Sequence, residues 1–148
     1  MIAEDLTPAK IWVSRPQQKI IRPALGWIMK HDSPGDWTTA LDYCCAEVFD
    51  YIFDSSWPRI VFPTEGPTQA FRFLRSSKIL NTTDAAICIA SEEIDLNDEG
   101  AALTHIAATF ILTRPEISIS PSRKMRAIHT RLLQLHLEAK AVQGGRTP

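Results

Sequence analysis

The chain of 148 residues has only six glycines, and they form neither a G-x-x-x-x-G-K-[ST] nor a G-x-G-x-x-G motif. Mechanisms that cradle phosphates in a glycine-rich loop are therefore excluded. A G-x-S-x-G turn is also missing, which removes the nucleophile elbow of α/β-hydrolases. Any ligand must then be held by side chains or by the ends of helices.

Cysteine is equally scarce, with three residues, of which Cys44 and Cys45 are adjacent. This number and spacing exclude a disulfide scaffold and a C-x-x-C motif. The four histidines form no H-x-x-x-H pair, so the sequence predicts neither a metal site nor a cofactor. Residues 1–5 do not resemble a secretory signal, and no apolar run is long enough to span a bilayer. We therefore expect a cytoplasmic protein of one domain, residues 1–148, with about residues 143–148 as a flexible tail.

Charge is nearly balanced, with 16 Lys and Arg against 17 Asp and Glu, but it is segregated along the chain. Five acids and no base lie from Asp36 to Asp54, and six acids and no base lie from Asp84 to Glu99. From Arg114 onward there are seven bases against two acids. The near-zero net charge therefore does not exclude binding to charged partners.

Short apolar runs alternate with helical patterns, which predicts strands at 11–13, 59–62, 84–90 and 116–120. The helices are predicted over 17–31, from a capping box at Ser33–Pro34–Gly35–Asp36 to residue 53, from about 67 to 74, from Asn97 to 111, and from Pro121 onward. This order predicts an α/β fold with a doubly wound, mainly parallel sheet of at least four strands and helices on both faces.

In such a sheet, ligands bind beyond the carboxyl ends of the strands. The loops at those ends contain the candidate ligand-binding residues and an acidic helix start, Asp98 and Glu99, as candidate catalytic residues. Carboxylates on a first helical turn are stabilised as anions, so they suit hydrogen bonds to sugar hydroxyls better than proton donation. The candidate binding residues are Ser14, Arg15, Thr64, Glu65, Ser91, Gly100, Thr104 and Arg123.

The run Asp84-Ala-Ala-Ile-Cys-Ile-Ala-Ser91, its acidic loop and Asp98-Glu99-Gly100-Ala-Ala-Leu resemble the nucleoside 2-deoxyribosyltransferase-like group. Residues 113–117 and 11–16 are similar to that group's later and opening strands. The resemblance implies an α/β fold, a nucleotide-sized pocket and chemistry at N-glycosidic bonds. The group's nucleophilic Glu stands four residues beyond the motif glycine, where this chain has Thr104. A hydroxyl without an activating base does not replace that carboxylate, so we expect little or no activity.

Two other functions rest on charge. A helical stripe of Glu47, Asp50 and Asp54 predicts either a solvated surface or a regulatory, inhibitor- or immunity-type factor that covers a basic protein partner. The cations Arg123, Lys124 and Arg126 oppose the dipole of the last helix at its start, and this indicates an acidic loop or an anionic ligand nearby. Together with Arg131 they also predict nucleic-acid binding, which is less favoured.

The last helix also has apolar residues at a and d heptad spacing, which predicts packing on the domain's own core or a homodimer. These residues are Met125, Ile128, Leu132, Leu135, Ala139 and Val142.

Overall fold

The computed structural model describes residues 6–31, 35–54, 56–76, 82–94 and 98–145. Six helices and two strands make up this part of the chain. In chain order they are β1 (Leu6–Ser14), α1 (Arg15–His31), α2 (Trp37–Phe53), β2 (Thr68–Ser76), α3 (Thr82–Ile94), α4 (Glu99–Leu112), α5 (Pro115–Ser118) and α6 (Arg123–Gly145).

The two strands form one antiparallel sheet, in which Ser14 pairs with Thr68 and Leu6 with Ser76. The predicted doubly wound parallel sheet is therefore wrong. Ile11 and Val13 on β1 and Phe73 on β2 are buried, whereas Trp12 between the first two is 53% exposed. This alternation is typical of a sheet that covers a core with one face.

Three of the four predicted strands are not strands. The run 84–90 lies inside α3, where the buried positions are Thr83, Ala86, Ile87, Ala90 and Ser91. Their spacing of three, four, seven and eight residues is helical, and Cys88 points outward, so the apolar run was not buried on all sides.

The run 116–120 overlaps the short helix α5 and contains no strand. Ile117 is buried and Ile119 is 82% exposed, whereas alternation in a strand would place both on one face. The predicted helix from about 67 to 74 is strand β2, because Phe71 and Phe73 alternate with exposed Arg72 at a period of two.

Helix α4 is the centre of the core, and every residue from Gly100 to Ile111 is buried. It contacts α1, α2, α3, α6 and β1. A helix that is apolar on all sides is buried on all sides, and its alanines allow neighbours to approach closely. The sequence predicted one buried stripe here, and the structure shows a central helix.

Helices α1, α2, α3 and α6 pack against this central helix. Asp36 is the N-cap of α2 and accepts a hydrogen bond from the Thr39 amide at 2.7 Å. Ser33, the predicted cap of α2, lies outside the described residues, as does Asn97, the predicted cap of α4.

Cys44 and Cys45 are free and buried in α2, and burial raises the pKa of Cys45 to about 12.

Helix α6 is long and only lightly buried. Leu132 is fully buried, while Leu133, Leu137 and Val142 are 42%, 55% and 56% exposed. Of the six residues at a and d spacing, Val142 alone is exposed, and the homodimer through this helix stays a prediction. None of the described helices is both long enough and apolar enough to cross a membrane.

Candidate functional site

A capping box joins β1 to α1 at Ser14. The Ser14 hydroxyl accepts a hydrogen bond from the Gln17 amide at 3.3 Å, and the Gln17 side-chain oxygen accepts one from the Ser14 amide at 2.9 Å. This reciprocal pair fixes the start of α1 and turns Gln17 toward the core. The S-x-x-Q pattern was visible in the sequence, although the box was predicted at Ser33.

From this box, hydrogen bonds continue to the N-terminus of α4. The side-chain nitrogen of Gln17, Nε2, donates to the Phe62 carbonyl and, at 2.9 Å, to the Thr64 hydroxyl. This hydroxyl in turn donates to Asp98 Oδ1 at 2.6 Å. Asp98 Oδ2 accepts from the Thr64 amide at 3.0 Å. We call these four side chains, Ser14, Gln17, Thr64 and Asp98, the Asp98 network.

Asp98 is also the N-cap of α4, because Oδ1 accepts the Ala101 amide hydrogen at 2.8 Å. Burial raises the pKa of its carboxyl group, but the hydrogen bonds from Thr64 and Ala101 outweigh this effect and leave the pKa below its usual value. The carboxylate is therefore ionised and accepts three hydrogen bonds from its own chain. This arrangement suits a structural acceptor and does not suit a general acid.

Gly100 is required where α4 begins. A Cβ atom at this position would lie 2.6 Å from the Trp12 carbonyl oxygen, 2.6 Å from the Gln17 side-chain oxygen and 3.1 Å from the Thr64 hydroxyl. The first turn of α4 thus fits against β1 only without a side chain. The structure brings four of the predicted residues together, Ser14, Thr64, Asp98 and Gly100, and their contacts are with one another and with Gln17.

The remaining predicted residues are dispersed. Thr104 is buried and donates to the Gly100 carbonyl at 2.7 Å, and Ser91 is buried on α3. Glu99 and Arg123 are exposed at the first turns of α4 and α6. Arg15 and Glu65 form none of the hydrogen bonds of the Asp98 network and line a surface cavity.

A groove lined by α1, α6 and residues 62–69 contains these two side chains. Its larger cavity has a volume of about 740 Å³, and a neighbouring cavity of about 480 Å³ shares Pro16, Lys19 and Lys124 with it. We call the two together the basic groove. Its charged lining residues are Arg15, Lys19, Arg22, Lys124, Arg131 and Glu65.

The cations come from two helix faces. Arg15, Lys19 and Arg22 are spaced by four and three residues on α1, and Lys124 and Arg131 are seven residues apart on α6. Each set therefore shares a face of its helix. None of the five forms an ion pair with an acid of the described residues. The stripe on α1 was present in the sequence at helical spacing and was missed.

The predicted acidic stripe on α2 is partly used within the protein. Glu47 forms an ion pair with Arg114 at 2.8 Å, and Asp54 accepts hydrogen bonds from the amide and hydroxyl of Ser56. Asp50 is exposed. Two of the three acids therefore have partners in their own chain, which weakens the argument for a basic protein partner at this surface.

A second buried polar group, His105, lies in the middle of α4. His105 Nδ1 accepts a hydrogen bond from the Ile60 amide at 3.3 Å, and Nε2 has no partner among the described residues. Burial, with smaller contributions from Arg59 and His136, lowers the pKa of His105 to about 3. The imidazole is therefore neutral at pH 7, with its proton on Nε2.

The described part of the chain holds no cluster of three or more His, Cys, Asp or Glu side chains placed to bind a metal ion.

Fold and site together define a small, mostly helical domain with a two-stranded antiparallel sheet, a closed polar network and an open basic groove. Comparison with protein-family models, curated proteins and solved structures finds no match to the chain. The resemblance to the deoxyribosyltransferase-like group stays a prediction, although the strand that it implied at 84–91 is part of α3.

Proposed function

We propose that this protein binds a small anionic ligand of nucleotide size in the basic groove, with phosphate as the anionic group. The observation that carries the proposal is the lining of the groove by five cations and one acid. Guanidinium and ammonium groups in a cleft raise the local concentration of anions and donate charge-assisted hydrogen bonds to phosphate oxygens. The proposed site therefore lies at the surface beside the C-terminal end of β1, and not at the ends of several parallel strands as the sequence predicted.

The proposal includes little or no N-glycosidase or deoxyribosyltransferase activity. It is supported by Thr104, whose hydroxyl is buried and bonded to the Gly100 carbonyl, and by Asp98, whose carboxylate is occupied by its own chain. Incubation with a panel of nucleosides and nucleotides, followed by chromatography, tests this part. Release of a free base by the wild type, lost in Asp98→Asn, would overturn it.

Binding is tested by isothermal titration with pyrophosphate at low salt. In the double variant Lys19→Gln/Lys124→Gln we expect affinity to fall at least tenfold, because both side chains line both cavities. The matched control is Lys30→Gln/Lys140→Gln, which removes the same charge from exposed positions of α1 and α6. We expect its affinity to stay within about twofold of wild type.

An equal loss in both double variants would contradict the proposal, because it would reflect net charge alone. A basic protein partner captured by wild type and released by Asp50→Asn, with no pyrophosphate binding, would favour the interaction factor instead. Duplex DNA bound more tightly than pyrophosphate, with steep salt dependence, would favour nucleic acid.

The proposal also places the protein in the cytoplasm. Cys44, Cys45 and Cys88 are free thiols, and Cys88 is exposed. An exposed unpaired thiol is typical of reducing compartments. Fractionation of cells that express a tagged chain would test this placement.

A further inference from the structure

We infer that the ligand of the basic groove is amphipathic, with an apolar group attached directly beside its anionic group. The inference rests on the proposed function and adds the chemical class of the ligand. The two cavities of the groove differ in chemistry, and they meet at Lys19 and Lys124. This difference carries the argument.

The larger cavity has more charged and polar side chains than the smaller one. Arg15, Arg22 and Glu65 line it together with the two shared lysines, and two glutamines add neutral polar groups beside Pro16, Pro23 and Pro67. Gln18 donates to Gln69 at 2.9 Å and accepts from Arg22, so these polar groups hold one another in place. Such a surface fits a hydrated, multiply charged group.

The smaller cavity has an apolar floor. Ile20, Phe62, Ala127 and Ile128 line it with Pro16, and its only charged lining residues are Lys19, Lys124 and Arg131. Within the described chain, no acid lines this cavity. A bare phosphate would contact the lysines there and leave the apolar floor to water, whereas an attached aromatic or acyl group would cover it.

The floor is built before any ligand binds. The Phe62 carbonyl accepts a hydrogen bond from Gln17, which belongs to the Asp98 network, so the backbone at this residue is fixed to the core. Ile20 is 7% exposed, and Phe62 and Ile128 are half-buried. Because the lysines stand where the cavities join, the anionic group and the apolar group of one ligand must be neighbours.

The test is a titration series at constant salt with inorganic phosphate, phenyl phosphate, hexyl phosphate, adenosine 5′-monophosphate and adenosine. We expect at least one phosphate ester to bind about tenfold more tightly than inorganic phosphate, since this needs only about 60 Å² of buried apolar surface. Adenosine should bind at least tenfold more weakly than its monophosphate. The phenyl, hexyl and adenosyl arms identify which apolar group the floor prefers.

The matched variants are Ala127→Asn, which puts a polar group into the smaller cavity, and Ala141→Asn, which makes the same change at another exposed position of α6. Both alanines are exposed and helical, so both variants should lower the thermal unfolding temperature slightly and by the same amount, because asparagine is a weaker helix former than alanine. We expect Ala127→Asn to weaken ester binding about fivefold and to leave inorganic phosphate within twofold. Ala141→Asn should change neither.

Esters that bind no more tightly than inorganic phosphate would overturn the inference, and so would an equal effect of the two asparagines. If phosphate binding still depended on Lys19 and Lys124, the proposed function would survive that result. If neither phosphate nor any ester bound, both would fail.

Discussion

The two faces of the start of α1 show opposite ways of treating polar groups. On the inner face, Ser14 and Gln17 join Thr64 and Asp98 in hydrogen bonds within the chain. On the outer face, Arg15 and Lys19 line an open groove and form no ion pair with an acid of the described residues. Polar groups that satisfy one another stabilise a fold, whereas unneutralised charges in a cleft are available to a ligand. Inner-face substitutions should therefore change stability, and outer-face substitutions should change binding.

The largest expected effect is that of Gly100→Ala. The added Cβ would meet the Trp12 carbonyl and the Gln17 side chain at 2.6 Å, and backbone must move to admit it. We expect a loss of about 3 kcal/mol in the free energy of unfolding, measured by denaturant titration. The control is Gly26→Ala in α1, where the new Cβ meets nothing within 4 Å. It should gain about 0.5–1 kcal/mol, and equal effects at both sites would contradict the close packing described.

Asp98→Ala should cost about 2 kcal/mol, because it removes the cap of α4 and two hydrogen bonds from Thr64. Asp98→Asn should recover part of this loss, since asparagine also caps helices. Because the folded protein lowers the pKa of Asp98, its contribution is present above about pH 4 and is lost as the pH falls below that value. Acid titration of the three proteins should show this loss in wild type only.

His105 predicts a second pH dependence, at higher pH. Its pKa is about 3 in the folded protein and near 6.5 in an unfolded chain, so the unfolded state binds a proton that the folded state rejects. The free energy of unfolding should therefore decrease as the pH falls from about 6.5 toward 3, by at most about 1.4 kcal/mol per pH unit. His105→Gln, whose side-chain oxygen can accept from the Ile60 amide, should flatten this slope. An unchanged slope would contradict the lowered pKa of His105 in the folded protein.

The smallest effect on stability belongs to the outer face. Lys19→Gln/Lys124→Gln should unfold within about 0.5 kcal/mol of wild type, because exposed side chains without ion pairs contribute little. Its binding of pyrophosphate should nevertheless fall. A large loss of stability in this variant would show that the cations support the fold, and the contrast between the two faces would disappear.

The sequence predicted the helices with long periodic patterns, α1, α2, α4 and α6, and it predicted β1. It failed where apolar runs were short. Residues 84–90 are rich in alanine, which favours helix, but the unbroken run was interpreted as a buried strand. For β2, the pair Phe71 and Phe73 indicated alternation, but neighbouring Ala70 and Leu74 also fit a helical stripe.

The failure at 59–62 has a different physical reason. This apolar stretch belongs to no sheet, and its neighbourhood is held by side chains: Gln17 binds the Phe62 carbonyl, His105 binds the Ile60 amide and Asp98 binds the Thr64 amide. A local sequence pattern cannot predict hydrogen-bond partners that lie 34 to 45 residues away in the chain. The same limit explains the site. Asp98 and Gly100 are neighbours in a sequence motif, but the groove is formed by α1, α6 and residues 62–69, which are distant from one another in the sequence.

This stretch without regular secondary structure should behave in hydrogen exchange like part of a sheet. The amides of Ile60 and Thr64 are bonded to side chains that the core holds in place, so they should exchange slowly, at rates set by wider opening of the domain. Asp98→Ala should speed exchange at Thr64 and leave Ile60 slow, while His105→Gln tests the other end. Because Phe62 lies between these two hydrogen-bonded amides, the floor of the smaller cavity is rigid before any ligand binds. Binding therefore requires no ordering of this surface.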